Sequence, residues 1–203
     1  MALRVGLLAL QGGFEEHIHM VSRACKELGL ECEVLFVKKP EDLSKVSALI
    51  LPGGESTTIK KLMEKTGLTK ELSKTLEAGL PAMGVCAGAI LLAGRVVDGT
   101  TGKSYGTGLG CLRANVIRNY FGRQRESFEV DLKLNIPLEP ERPFRAVFIR
   151  APVFTDVGEG VKVLGELEGY PVALEQDSII ALAFHPELTG DVRLHKLFLM
   201  KAF

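Results

Sequence analysis

The pentapeptide Gly84-Val85-Cys86-Ala87-Gly88 constrains this chain more than any other stretch. It follows the apolar run Leu80-Pro81-Ala82-Met83 and leads into Ala89-Ile90-Leu91-Leu92-Ala93, so it reads as strand, sharp turn, helix. A turn this tight leaves no space for side chains where helix and strand meet, which accounts for a glycine on each side of the cysteine. It presents the thiol at a helix N-terminus, where the dipole and free backbone N–H groups favour a thiolate and, later, an oxyanion. The plain alternative is a buried, inert thiol. The flanking glycines argue against it, and so does a partner far downstream.

That partner is the segment Ala181-Leu182-Ala183-Phe184-His185-Pro186-Glu187, an apolar strand ending in His-Pro-Glu. In extended backbone His185 and Glu187 share a face. Pro186 fixes its own φ and disfavours helix at His185. Cys86, His185 and Glu187 thus form a candidate triad of nucleophile, base and orienting carboxylate. The imidazole takes the thiol proton, and the carboxylate holds one tautomer and stabilises the cation.

Around these motifs the first half reads as alternating strands and helices. A nearly unbroken apolar run over 3–10 is a strand buried on both faces, ended by Gln11-Gly12-Gly13. A helix over 14–28 follows, with Ile18, Val21, Cys25 and Leu28 on one stripe and Gly29 as its stop. Strands are expected over 32–37 and 48–51, the second ended by Pro52-Gly53-Gly54. Ser56 is expected to cap a helix over about 57–64, with another over about 69–78. This order predicts parallel strands with helices on both faces. The second half changes character. The Gly- and Thr-rich segment 96–110 reads as a loop. Antiparallel strands and hairpins are expected over 114–117, 127–134, 145–149, 161–167, 171–176 and 179–184, then a helix over 191–200 capped by Asp191. The expected fold is one α/β domain over 1–203, an open, mixed, mainly parallel sheet with antiparallel strands C-terminally. Ligands of such sheets sit at the carboxyl ends of the strands. Gln11, the 53–56 loop, Cys86 and His185 all follow strand ends and should converge.

The 25 basic and 25 acidic residues cancel, which argues against a nucleic-acid or anionic-membrane binder. No apolar run approaches the roughly 20 residues that span a bilayer, and the N-terminus lacks signal-peptide architecture. Four cysteines without a CxxC pair or metal-ligand spacing imply no metal. Cys25, Cys32 and Cys111 read as free, buried or neutral thiols of a reduced cytoplasmic protein. His17 and His19 point apart on their helix, favouring surface or interface roles, and His195 reads as structural. The run Arg123-Gln124-Arg125-Glu126 is a plain solvated turn unless it belongs to a site.

Taken together, Leu10-Gln11-Gly12, Leu51-Pro52-Gly53-Gly54-Glu55-Ser56-Thr57-Thr58, Arg118-Asn119-Tyr120-Phe121-Gly122-Arg123-Gln124, Phe148-Ile149-Arg150-Ala151-Pro152 and Phe184-His185-Pro186-Glu187-Leu188-Thr189 resemble class I, triad-type glutamine amidotransferases. In this order they resemble most closely the family of glutaminase subunits of pyridoxal 5′-phosphate synthase, over nearly the full chain. The resemblance implies a flavodoxin-like fold and hydrolysis of L-glutamine to glutamate and ammonia, without a cofactor. It implies transfer of that ammonia to a separate (β/α)8-barrel synthase subunit in an assembly of twelve of each. The glutaminase would be weakly active or silent until docked. It also implies Cys86 as nucleophile with His185 and Glu187, and contacts to glutamine from Gly54, Glu55, Ser56, Arg118, Ile149 and Arg150. One departure is visible. The elbow often reads Gly-Thr-Cys-Ala-Gly in the family, whereas Val85 stands here and removes a hydroxyl. The 99–110 loop also looks longer than usual.

For this chemistry the oxyanion donors are expected to be the Ala87 N–H and an N–H of the Gly53-Gly54 loop, taken at Gly54. Paired glycines change peptide orientation at little cost, so this loop is a candidate activation switch. Arg150 or Arg118 would meet the carboxylate of glutamine, and Glu55 its ammonium. Two rivals stand beside this expectation: a glutaminase serving another amidotransferase, and a DJ-1-like cysteine sensor or chaperone of related fold.

Overall fold

The computed structural model describes residues 2–121 and 127–203. In chain order its elements are β1 (Leu3–Leu8), α1 (Glu15–Leu28), β2 (Cys32–Val37), α2 (Pro40–Leu43), β3 (Ala48–Leu51), α3 (Ser56–Thr66), α4 (Leu68–Glu77), β4 (Ala82–Val85) and α5 (Ala87–Leu92). The second half adds β5 (Arg95–Asp98), β6 (Ser104–Thr107), β7 (Asn115–Arg118), β8 (Ser127–Leu132), β9 (Phe144–Ile149), β10 (Val153–Thr155), β11 (Lys162–Leu167), β12 (Tyr170–Gln176), β13 (Ile179–Leu182), a 3-10 turn at Pro186–Leu188 and α6 (Arg193–Met200).

Strands β3, β4 and β13 are buried at every position, as expected of the middle of a sheet covered on both faces. The main sheet has seven strands in the order β11-β12-β13-β4-β3-β1-β2. Five run parallel, and β11 and β12 form an antiparallel edge hairpin continuing from β13. From β1 the chain winds outward to β2, then back across β1 to β3 and β4. Crossovers in opposite directions open a crevice where the strand order reverses, between β1 and β3. Helices α1 and α6 pack together, and α3 packs on α4 and α5.

The bounds of β2 and β3 match expectation to the residue. Three other expectations need correction. The segment 96–110 is not merely a loop, since it carries most of β5 and all of β6, which pair antiparallel. Strand β5 in turn pairs parallel with β7 in a second, four-stranded sheet, β10-β7-β5-β6. The 179–184 strand is not confined to hairpins, for β13 pairs antiparallel with β12 on one side and parallel with β4 on the other. Finally, Cys25 and Cys32 are bonded to each other, not free. Gly29, left-handed at φ 69°, turns the chain directly from α1 into β2 and leaves the two Cα atoms 6.3 Å apart, inside disulfide reach. Among the described residues no helix is long and apolar enough to cross a membrane.

Candidate active site

The elbow forms as the glycines require. Cys86 precedes α5 with φ 48° and ψ −101°, a conformation a non-glycine residue holds only under compulsion from its surroundings. The compulsion is packing: a Cβ on Gly88 would lie 1.9 Å from the Leu51 carbonyl oxygen, and one on Gly84 would lie 2.6 Å from Leu92 Cδ1. The Cys86 N–H bonds the Leu182 carbonyl at 2.8 Å, so the elbow is laced to β13. Ala87, buried at the start of α5, carries one of the N-terminal N–H groups that a helix leaves without an internal acceptor.

Parallel pairing of β13 with β4, with Leu182 beside Val85, delivers the histidine. The chain leaves β13, and the His185 N–H bonds the Val147 carbonyl on β9 at 2.8 Å. His185 and Glu187 are both about nine-tenths buried, and Nδ1 of the imidazole lies 2.7 Å from Glu187 Oε1. Burial opposes a charge on this ring. Hydrogen bonding and attraction from Cys86 and Glu187 outweigh it and push the pKa up to about 10. Burial likewise opposes the Glu187 charge, and the His185 hydrogen bond more than offsets it, holding the carboxyl below its ordinary range. The imidazole therefore holds its proton against an ionised Glu187. The Cys86 sulfur also lies 3.9 Å from the Ile149 carbonyl oxygen.

The β3 loop closes on this group. A Cβ on Gly53 would sit 2.5 Å from His185 Cε1, so only glycine lets the imidazole approach. Gln11, just past β1, accepts the Glu55 N–H at 2.8 Å through Oε1. That N–H is therefore engaged within the protein. Glu55, rather than Ser56, caps α3: its carboxylate accepts the N–H groups of Thr57 at 3.3 Å and Thr58 at 2.7 Å, and both threonine hydroxyls. Burial would raise this carboxyl, but these hydrogen bonds prevail and lower it to about 2. Arg118 Nη2, at the end of β7, lies 3.4 Å from Glu55 Oε1, and its guanidinium stacks 4.5 Å from the Tyr105 ring centroid on β6.

These pieces enclose a cavity of about 480 Å³. Gly54, Glu55, Ser56, Cys86, Arg118, Ile149, Arg150, His185 and Glu187 all line it. Ala87 is not on that lining but adjoins Cys86. Arg150 is exposed at the rim and has φ 43°, and Asn119, also on the lining, has φ 51°. Gly122, Arg123 and Gln124 of one marker, and the 123–126 turn, lie outside the described residues. Gly53 lies on the lining as the 53–56 loop predicted, whereas sequence reasoning missed Asn119 as a lining residue. It also missed His17, which is fully buried beneath Glu187 rather than on the surface, because the core-facing stripe of α1 passes through it. Asp191 does not occupy the cap of α6, where Val192 stands, although Asp191 Oδ1 accepts the Arg193 N–H at 3.0 Å. Among the described residues no group of three or more His, Cys, Asp or Glu is placed to hold a metal. A thiol, an imidazole and a carboxylate in this order have the means to attack a carbonyl with sulfur and return a proton to the leaving group.

A profile described as the SNO glutamine amidotransferase family matches residues 7–203. A protein of Ignicoccus hospitalis named pyridoxal 5′-phosphate synthase subunit PdxT is 51% identical over 200 residues, covering 98% of this chain and 100% of its own length. One of the same name from Pyrococcus abyssi is 47% identical over 201 residues, at 98% and 100% coverage. A crystal structure described as a glutamine amidotransferase superposes with TM-score 0.81 at 49% identity, over 98% of each chain. A glutamine amidotransferase structure from Thermotoga maritima shares the fold, with TM-score 0.58 at 15% identity over 98% of this chain and 82% of that one.

Proposed function

This chain belongs to the SNO glutamine amidotransferase family, and on that footing we propose that Cys86, His185 and Glu187 are its glutaminase triad. The chain is the glutaminase subunit of a pyridoxal 5′-phosphate synthase, an amidotransferase that hydrolyses glutamine. A family match over almost the whole chain leaves the cysteine-sensor alternative unsupported. The observation that carries the assignment of roles is the 2.7 Å His185–Glu187 contact behind a strained, cavity-facing Cys86.

The Cys86 thiolate attacks the side-chain carbonyl carbon of glutamine. The resulting oxyanion is held by the N–H groups of Ala87 and Gly54, and losing one such donor typically costs about 3 to 4 kcal/mol. Imidazolium His185 protonates the departing nitrogen, ammonia leaves, and a thioester to Cys86 remains. Neutral His185 then takes a proton from water, the hydroxide cleaves the thioester, and glutamate departs as the thiolate re-forms. Arg150, exposed at the rim, is suited to the substrate carboxylate. Arg118 is already committed to Glu55. Ser56 and Ile149 complete the walls beside Glu55, whose carboxylate is held by Thr57, Thr58 and Arg118.

The ammonia goes to a separate (β/α)8-barrel synthase subunit, in the cytoplasm and in an assembly of twelve of each. Docking activates the site by setting the Gly53–Gly54 peptide, where His185 packs against Gly53 and Gln11 holds the Glu55 N–H that follows. The test is Cys86→Ala assayed with the synthase. Cofactor synthesis from glutamine should vanish, while synthesis driven by ammonium salt persists. Loss of both would assign Cys86 to assembly instead.

A further inference from the structure

Behind the triad lies a pair of histidines the mechanism above does not use. His17 on α1 and His195 on α6 are both fully buried. His17 Nδ1 lies 3.3 Å from His195 Nε2. On its other side His17 Nε2 lies 3.7 Å from Glu187 Oε2. Among the described residues neither of these last two atoms has a hydrogen-bond partner, although both are buried, and the same holds for His195 Nδ1. Orphaned buried polar atoms are costly, so two that face each other call for an explanation.

We propose that His17 is a positioning residue for the triad: its Nε2–H donates to Glu187 Oε2, and the carboxylate is thereby clamped by two imidazoles, His185 on one oxygen and His17 on the other. The inference rests on the glutaminase assignment above. The present separation is longer than a hydrogen bond, and such contacts commonly tighten when substrate binds.

The tautomers follow from counting protons. If His17 carries its proton on Nε2, its Nδ1 accepts from His195 Nε2–H, and the one group left over is the bare His195 Nδ1 lone pair. If His17 carries it on Nδ1, a lone pair faces the anionic Glu187 Oε2 and His195 Nδ1–H becomes a buried donor with no acceptor. A doubly protonated His17 is opposed by burial, which holds its pKa below the ordinary value. The charged and titratable groups around it are Glu187, His185, His195 and Glu16. The first arrangement alone satisfies both sides of Glu187. A carboxylate held at both oxygens cannot rotate away from His185 Nδ1, so the imidazole keeps its Nε2 edge towards Cys86.

The test uses the wild-type subunit and two variants, each assayed with the synthase present. Nitrogen-15 NMR of the wild-type histidines should show His17 as the Nε2–H tautomer, and an Nδ1–H tautomer would overturn the proposal. His17→Leu should lower glutaminase kcat about tenfold to a hundredfold, the range typical of lost second-layer hydrogen bonds, with KM changed less than about twofold. The pH dependence of Cys86 alkylation should shift as well. His17→Gln, whose amide can both donate and accept, should restore most of kcat. A His17→Leu enzyme with unchanged kcat, or a glutamine variant no better than leucine, would overturn the role. Should His17→Leu fail to fold, the wild-type tautomer and the glutamine variant still decide. Failure of the glutaminase assignment would look different, because the wild type itself would then release no ammonia from glutamine.

Discussion

The two halves of the site are built by different means, and only one is local. On the sulfur side, Cys86 is posed by one continuous stretch, 84–92, and two flanking strands: Gly84 and Gly88 admit the helix against Leu92 and Leu51, and the Cys86 N–H bonds Leu182. On the imidazole side, His185 draws on β4, β9, the Gly53 turn and α1, which are dispersed through the chain. A local device survives changes elsewhere, whereas an assembled one depends on each contributor. Substitutions on the sulfur side should therefore register as stability, and those on the imidazole side as catalysis at nearly constant stability.

The largest break is expected from Glu187→Gln. It keeps the shape but lets His185 take the wrong tautomer, a change that lowers kcat about 10⁴-fold in the analogous aspartate of serine proteases. It also removes one of the groups that raise the His185 pKa to about 10. Because that pKa is raised, the imidazole holds its proton at neutral pH and loses it as pH climbs towards that value. The alkaline limb of the glutaminase profile should consequently move to lower pH in Glu187→Gln, measured by ammonia release across pH with the synthase present. An unmoved limb would mean Glu187 does not govern the ring.

Next in size is Gly88→Ala. The atom in the way is the Leu51 backbone oxygen at 1.9 Å, which has no flexible end to yield, and overpacking of this kind costs about 3 kcal/mol. Denaturant unfolding should show it. Gly53→Ala tests the other side: its Cβ would press on His185 Cε1 at 2.5 Å, and a displacement of this order costs roughly 10²-fold in rate. Its melting temperature should stay near wild type, and a large drop there would erase the contrast between the two halves.

Legibility followed the same division. The elbow, the bounds of β2 and β3, and the His-Pro-Glu turn are readable because short-range chemistry determines them: an apolar run buried on both faces in β3, a largely apolar edge run in β2, glycine at close approaches, proline fixing an extended residue. Four features are not. That β13 inserts parallel beside β4 depends on strand pairing across a separation no local signal reports. The Cys25–Cys32 bond depends on the tightness of the α1–β2 turn. The hairpin of β5 and β6 is masked by glycine and threonine, and β6 is exposed throughout, so no apolar alternation marks it. The i, i+2 spacing of His17 and His19 suggests a surface or interface role, but His17 lies on the buried stripe of α1 with Met20, Val21 and Ala24.

The smallest expected effect sharpens the comparison at the loop that joins the halves. Glu55→Ala removes the cap of α3 and should cost about 1 kcal/mol, the usual value of such a cap, or a few degrees in Tm for a chain of this size. It also releases Arg118. If glutamine KM rises as well, Glu55 serves both fold and substrate. An unchanged KM would confine it to the fold.

The account stands on sulfur, imidazole and carboxylate acting as one group. The direct measurement is mass spectrometry after incubation with the glutamine-like electrophile diazo-oxo-norleucine and the synthase. The account predicts a single adduct on Cys86, blocked by excess glutamine and lost in His185→Ala. An adduct on Cys111 instead, or equal labelling of Cys86 without His185, would contradict it.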